Sequence, residues 1–185
     1  MELNLKRPIV FLDLETTGTN VGADRIVEIG LLKIFPNGSK DSRTYKVNPT
    51  IPIPEETSKI HGIYDKDVKD APTFKDLSAE LNTFLGGSDL GGYNSNKFDI
   101  PLLIEEFTRC NIDFDILTRK LIDVQNIFHK MEQRTLAAAY KFYCNKDLTN
   151  AHSAEADTLA TYEVMLSQLD KYDSLKNDVD FLATF

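Results

Sequence analysis

The stretch Ile-Val-Phe-Leu-Asp-Leu-Glu at Ile9–Glu15 is the part of the sequence that decides the fold. Four apolar residues with a β-branched start predict a strand that is buried on both faces of a sheet. Because side chains alternate along a strand, Asp13 and Glu15 lie on one face, roughly 6.6–6.8 Å apart along the backbone. Thr16–Gly18 follows as a turn. Two neighbouring acids need a cation, a shared proton or open water, so this stretch leaves a metal site and a solvated strand end equally open.

Composition narrows the class of protein. The chain has 185 residues, of which 42% are hydrophobic and 27% charged, as expected for one globular domain spanning residues 1–185. It has no apolar stretch of membrane-spanning length, and residues 1–8 lack a signal-peptide core, so we expect a cytoplasmic protein without a membrane partner. The net charge of −8 argues against tight binding of nucleic acid by a basic patch. It is compatible with an enzyme that holds nucleic acid through metal ions.

The strand at Ile9–Glu15 opens a series of elements. Residues Arg25–Ile34 and Ser42–Val47 are predicted strands, and Phe35–Gly38 is the turn between them. Three consecutive strands indicate an antiparallel meander at the edge of a sheet.

Helices and strands then alternate, which predicts an α/β domain with a mixed sheet. The further predicted elements are a helix that begins at Pro54 and ends near His61, a helix over Thr73–Gly86, a strand at Leu90–Asn94, a helix with Pro101 in its first turn, a strand at Lys120–Val124, helices at Asn126–Met131, Thr135–Tyr143 and Ser153–Leu169, and a short helix ending at Phe185.

Three more residues carry possible chemistry. Asp99 lies at a strand-to-helix junction, where its local context favours capping of the helix. Asp157 falls on a helix face with Ala160 and Val164, and an acid on such a face needs a partner. His152 precedes that helix and by itself is typical of a solvated loop. Asp123 also ends an apolar strand, and we interpret it as an acid that is either structural or lies behind the ligands and supports them.

Taken together, these residues form three motifs in order. They are Leu12–Gly18 (Leu-Asp-Leu-Glu-Thr-Thr-Gly), Asn94 with Phe98-Asp99, and His152–Asp157 (His-Ser-Ala-Glu-Ala-Asp). The chain therefore resembles the DEDD superfamily of exonucleases over residues 8–168, and His152 marks the DEDDh branch. That branch contains the proofreading subunit of bacterial replicative DNA polymerase and several RNA-trimming enzymes.

The resemblance implies a ribonuclease-H-like fold, a five-stranded mixed sheet flanked by helices, with a short extension over residues 170–185. It implies metal ligands at Asp13, Glu15, Asp99 and Asp157, which would hold two Mg²⁺ ions that Mn²⁺ can replace. It also implies that His152 is the general base that takes a proton from the attacking water. The products would be nucleoside 5′-monophosphates released from a 3′ end.

Substrate contacts are implied at five positions: Thr16, Thr17, His61, Asn94 and Phe98. The second motif reads Gly-Tyr-Asn where many relatives have His before Asn, which affects contacts with the base or sugar. The partner is expected to be nucleic acid with a free 3′ end, DNA before RNA, and a DNA polymerase subunit is a further candidate. The chain stops near Phe185 without the long tail of some proofreading subunits, which argues against association with a polymerase and leaves the expected chemistry unchanged.

Other functions stay open at this point. One alternative is an RNA-trimming exoribonuclease of the same family. A second is a catalytically silent nucleic-acid-binding module, although all five key residues are present here. A third is a carboxylate enzyme that works without metal, such as a glycosidase using Asp13 and Glu15. A chelator would distinguish that enzyme from the exonuclease.

Overall fold

The computed structural model describes residues 2–149, 151 and 153–184. These residues group into two compact units, Met1–Phe128 and His129–Phe185, and each is described by itself. The expectation that residues 1–185 form a single exonuclease domain stays a prediction. No helix among the described residues is long and apolar enough to cross a membrane.

A five-stranded sheet forms the centre of the first unit. Its strands are β1 (Ile9–Thr16), β2 (Ile26–Ile34), β3 (Lys40–Lys46), β4 (Asp89–Gly92) and β5 (Leu121–Asp123). The order across the sheet is β3-β2-β1-β4-β5. β2 is antiparallel to both β1 and β3, whereas β4 is parallel to β1 and β5. The predicted meander, the central place of β1 and the mixed ribonuclease-H-like sheet are therefore confirmed.

Helices cover the sheet in the first unit. They are α1 (Glu55–His61), α2 (Asp65–Val68), α3 (Phe74–Leu85) and α4 (Asp99–Arg109), and α5 (Val124–Met131) follows β5. The capping box expected at Thr73 is present, since its hydroxyl accepts from the Asp76 N–H and the Asp76 carboxylate accepts from the Thr73 N–H. The sequence pattern did not predict α2, which is only one turn long.

Two apolar cores hold these elements together. The larger one joins β1 and β2 to α3 and α4 and includes Leu12, Leu14, Leu81 and Phe107, all buried. A smaller core lies around Val27, where Ile53, Ile63, Val68 and Ala71 attach the α1–α2 region to β2. Apolar burial of this kind fixes the helices that carry functional side chains against the strands that carry the others.

The second unit is built from α6 (Leu136–Cys144), α7 (Ala154–Lys171) and α8 (Val179–Leu182). Tyr140 of α6 packs on Ala160 and Val164 of α7. The Tyr140 hydroxyl donates to Glu163 at 2.6 Å, and Lys146 pairs with the same carboxylate at 2.7 Å. The helices predicted at Thr135–Tyr143 and Ser153–Leu169 are confirmed within two residues, and the predicted end of the last helix at Phe185 lies outside the described residues.

Candidate active site

The carboxyl end of β1 presents two acids at the edge of the sheet. Asp13 is exposed and lies opposite Gly30 of β2, so no side chain from that position crowds the carboxylate. A Cβ atom added to Gly30 would meet only the Asp13 carbonyl oxygen, at 3.8 Å. Glu15 is half-buried and lies opposite Glu28, which is paired with Lys46 at 2.7 Å. The position opposite Asp13 on β2 therefore carries no side chain.

Asp99 reaches the same place from α4. β4 pairs with β1 only over Ile9–Phe11, so the later residues of β1 have no neighbouring strand on that side. There the Asp99 Oδ1 accepts a hydrogen bond of 3.0 Å from the Leu14 N–H. Leu14 is the residue between Asp13 and Glu15. The expectation that Asp99 caps its helix is wrong, because Phe98 is the N-cap residue and Asp99 is the first residue of the helix. The structure thus places Asp99 against the segment of β1 that carries Asp13 and Glu15.

The pKa values of Asp99 and Glu15 are both raised, by burial and by the negative charge of neighbouring acids. Burial raises the pKa of the Asp99 carboxyl to about 6, against the opposing effect of the Leu14 N–H and with repulsion from Asp13 and Asp123. Burial, followed by repulsion from Asp13, also raises the pKa of Glu15. A cation at this edge would stabilise the charged form of both carboxyls.

The donor set fits a hard divalent cation. Carboxylate oxygens are the ligands that Mg²⁺ prefers, and the crowded negative charge supplies the attraction. Within residues 2–149, 151 and 153–184, no three His, Cys, Asp or Glu side chains are already grouped at metal-ligand spacing.

The third motif lies in the second unit. Asp157 is half-buried in the first turn of α7, three residues before the buried Ala160, as its helix face predicts. Ser153 is the N-cap residue of that helix. His152 lies outside the described residues. The placement of Asp157 and His152 beside Asp13 therefore stays a prediction.

Thr16 and Thr17 use their hydroxyls within the turn that follows β1. The Thr16 hydroxyl donates to the Gly18 carbonyl at 2.7 Å. The Thr17 hydroxyl donates to Asp24 at 2.8 Å and accepts from the Arg25 N–H at 3.0 Å. Both residues are buried, with 6% and 1% of their surface exposed, so their observed role is to shape the turn. Their predicted contact with substrate is not tested.

Helix α1 supplies two further contacts with this turn. The His61 Nε2 lies 3.2 Å from the Thr16 carbonyl oxygen, and its Nδ1 accepts from the Ile63 N–H at 3.0 Å. The Thr57 hydroxyl donates to the Thr17 carbonyl at 3.2 Å. Sequence reasoning found His61 but missed Thr57, because a threonine in the middle of a short helix carries no motif or spacing signal.

The second motif is shaped by Asp123. Its carboxylate accepts from four backbone N–H groups, two in the loop after β4, at Asn94 and Asn96, and two at the start of α5, at Gln125 and Asn126. Burial raises the pKa of Asp123, but these donors outweigh that effect and hold the pKa below its ordinary value. The structural role predicted for Asp123 is confirmed.

Asn94 and Phe98 hold the other predicted substrate positions. Asn94 has the left-handed backbone conformation, with φ of 60°, and both its N–H and that of Asn96 are fixed by Asp123. Phe98 is half-buried against the larger core. Contact of either side chain with substrate stays a prediction.

Comparison with known proteins gives a consistent result. The family model RNase_T, described as "Exonuclease", matches residues 10–165. A DNA polymerase III subunit epsilon from Buchnera aphidicola (subsp. Schizaphis graminum) is 34% identical over 154 residues, covering 80% of this chain and 61% of that protein. A 3′-5′ exonuclease DinG from Staphylococcus haemolyticus is 28% identical over 176 residues, covering 90% of this chain and 19% of that protein. The chain thus spans less than two thirds of either relative.

Solved structures share the fold. The E. coli exonuclease I in complex with a dT13 oligonucleotide superposes with a TM-score of 0.62 and 17% sequence identity. The match covers 89% of this chain and 41% of that one. At that identity the likeness establishes the arrangement of strands and helices.

Proposed function

Because the chain belongs to the RNase T exonuclease family, we propose that it is a metal-dependent 3′–5′ exonuclease that degrades DNA to nucleoside 5′-monophosphates. The family expected from the three motifs is thereby confirmed. The observation that supports the proposed chemistry is the hydrogen bond from the Leu14 N–H to Asp99, which places Asp99 against the segment of β1 that carries Asp13 and Glu15.

Four carboxylates would hold the metal ions in this proposal: Asp13, Glu15, Asp99 and Asp157. When bound, two divalent cations supply a nucleophilic water at neutral pH and stabilise the charge on the leaving oxygen. Asp99 is anchored to the backbone of β1, so its position relative to Asp13 and Glu15 is preorganised. Asp157 would enter from the first turn of α7.

His152 would act as the general base. It takes the proton of the attacking water as the oxygen of that water forms a bond to phosphorus. The bond between phosphorus and the 3′ oxygen of the penultimate nucleotide breaks, and that oxygen leaves with the shortened strand. The released nucleotide keeps the phosphate as its 5′-monophosphate.

DNA is the favoured substrate because one relative is a DNA polymerase III subunit and the exonuclease I structure contains a dT13 oligonucleotide. The exposed position of Asp13 suits a strand end that enters from solvent, and it suits DNA and RNA equally. A DNA polymerase subunit is the protein partner that the epsilon relative suggests.

The test is degradation of matched 5′-labelled DNA and RNA oligonucleotides, single- and double-stranded, with Mg²⁺. We expect a ladder that shortens from the 3′ end of DNA, 5′-monophosphates as products, and no reaction in EDTA. Asp13→Asn should abolish the reaction, whereas Asp113→Asn, which changes an exposed acid, should not. Faster loss of RNA would identify an exoribonuclease instead, and degradation that persists in EDTA would refute metal dependence.

A further inference from the structure

The end of β1 is held by more than its pairing with β2. The register between the two strands is regular up to Glu15 and Glu28 and then shifts, so that Thr16 lies opposite Ile26. A bulge of this kind locally disrupts the ladder of hydrogen bonds between strands. The Thr17 N–H still donates to the Arg25 carbonyl at 2.9 Å, whereas the carbonyls of Thr16 and Thr17 have side-chain partners from outside the sheet.

Helix α1 provides these partners. The His61 ring meets the Thr16 carbonyl oxygen at 3.2 Å, and the Thr57 hydroxyl meets the Thr17 carbonyl oxygen at 3.2 Å. These two side chains lie four residues apart, on one face of a helix. Consecutive carbonyls of the turn are thus held by one short helix.

The tautomer of His61 follows from its partners. A backbone carbonyl can only accept a hydrogen bond, and the Ile63 N–H can only donate one. The ring proton therefore lies on Nε2 and is donated to Thr16, while the Nδ1 lone pair accepts from Ile63. Both ring nitrogens are used by the protein's own backbone, which leaves neither for a direct bond to substrate.

The turn after α1 fixes this arrangement. Gly62 has a left-handed conformation, with φ of 76°, which brings the Ile63 N–H back toward the His61 ring. The Ile63 side chain is buried with Val27 of β2 in the smaller core. The ring is thus anchored to the same strand that lies beside Glu15.

We propose that His61 is a positioning residue, which holds the Thr16 carbonyl through its Nε2–H and thereby fixes the Glu15 carboxylate beside Asp13. Thr57 supports the next peptide in the same way. The expected effect on turnover rests on the proposed function. The expected effect on the stability of the turn does not. It differs from the substrate contact that the resemblance implies for His61.

Three variants and one control separate these roles. His61→Ala removes both hydrogen bonds of the ring, whereas His61→Gln keeps an N–H donor near the position of Nε2. Thr57→Val removes the hydroxyl and nearly preserves shape. Thr83→Val is the matched control, since its hydroxyl donates to the Ala79 carbonyl of its own helix, at 2.9 Å.

The first measurement is amide hydrogen exchange of a peptide covering residues 14–18 in metal-free protein. We expect exchange at least about tenfold faster in His61→Ala and measurably faster in Thr57→Val, with His61→Gln and Thr83→Val close to wild type. Unchanged exchange in His61→Ala would overturn the inference. Because this measurement needs no activity, it decides the point even if the protein degrades no nucleic acid, and that result would refute only the proposed function.

The second measurement is steady-state degradation of a single-stranded DNA oligonucleotide with Mg²⁺. A displaced carboxylate should lower kcat by about 10–100-fold in His61→Ala, and KM should change less than about threefold. His61→Gln should recover most of the lost kcat. A rise in KM with unchanged kcat would assign His61 to substrate binding and overturn the positioning role.

Discussion

The Asp99 carboxylate accepts a hydrogen bond from the backbone N–H of Leu14, which lies 85 residues earlier in the chain, at 3.0 Å. This bond replaces the strand pairing that β4 no longer provides beyond Phe11. Asp99 is 5% exposed and lies near other acids, and burial raises the pKa of its carboxyl to about 6 although the Leu14 N–H acts in the opposite direction. The hydrogen bond therefore offsets only part of the cost of placing a buried charge at this edge of the sheet.

The first prediction concerns the pH dependence of metal-free stability. Since the pKa of Asp99 in the folded protein is about 6, above its ordinary value of 3.8, the folded state binds more protons between these values. The contribution of Asp99 to the free energy of unfolding should therefore be greatest below about pH 4. It should fall as the pH rises from about 4 to about 6. The loss should be roughly 1–3 kcal/mol after allowance for solvent screening.

Urea unfolding in EDTA at a series of pH values measures this effect, and Asp99→Asn is the comparison. The asparagine variant should lack the decrease between pH 4 and 6, because it cannot ionise. An equal slope in both proteins would show that Asp99 is not the group responsible.

The second prediction concerns metal binding. Mg²⁺ at about 100 times its dissociation constant should raise the free energy of unfolding by about 2.7 kcal/mol. For a chain of this size that corresponds to a rise in Tm of roughly 5–10 °C. Differential scanning calorimetry at pH 7.5, with Mg²⁺ and then with EDTA, is the measurement. Asp13→Asn should show a much smaller rise, and a full rise in that variant would remove Asp13 from the ligand set.

The third prediction compares two acids of different roles. Asp157→Asn should lower kcat by several orders of magnitude and leave Tm nearly unchanged, because it removes a proposed ligand charge while preserving shape. Asp123→Asn should lower the free energy of unfolding by about 2–4 kcal/mol, since the new amide group faces backbone N–H donors that had a carboxylate. Its kcat should fall far less.

Thermal unfolding and single-turnover rates on one DNA oligonucleotide give both quantities. Equal damage to turnover by the two substitutions, in protein that is still folded, would contradict the distinction between a ligand and a structural acid.

The fourth prediction concerns His152. As the proposed general base it must be neutral, so kcat should decline at low pH as the imidazole becomes protonated. His152→Ala should lower kcat by roughly 10²–10⁴-fold, and the low-pH decline should flatten. Calorimetric titration with Mg²⁺ should give nearly the wild-type affinity. Normal turnover, or loss of metal binding in place of rate, would exclude the base role.

Much of this arrangement could be predicted from sequence because local patterns determined it. The apolar stretch before Asp13 predicted a central strand, and the turn chemistry at Thr73 predicted the start of a helix that the structure contains. The role of Asp99 could not be read locally, since its partner is a backbone N–H 85 residues away and the local context is that of an ordinary cap.

The contacts of α1 show the same limit. The sequence predicted the helix ending at His61, and the structure has it. That His61 and Thr57 bond to the carbonyls of Thr16 and Thr17 depends on how the helix packs on β2, which no spacing in the sequence records. Every residue carries a backbone carbonyl. The residue types at Thr16 and Thr17 therefore do not reveal that their carbonyls accept hydrogen bonds from α1.

The strand order has a consequence for how the site arises. β1 and β4 are parallel neighbours, yet the chain leaves β1 toward β2 on one side and leaves β4, through α4, toward β5 on the other. This is a topological switch point, and in open α/β sheets ligands bind beyond the carboxyl ends of the strands at such points. Connectivity thus sets where the proposed site lies, independently of the acids that the chain places there. Under the proposed function, Asp13→Asn should therefore still bind the end of a strand that it does not cut.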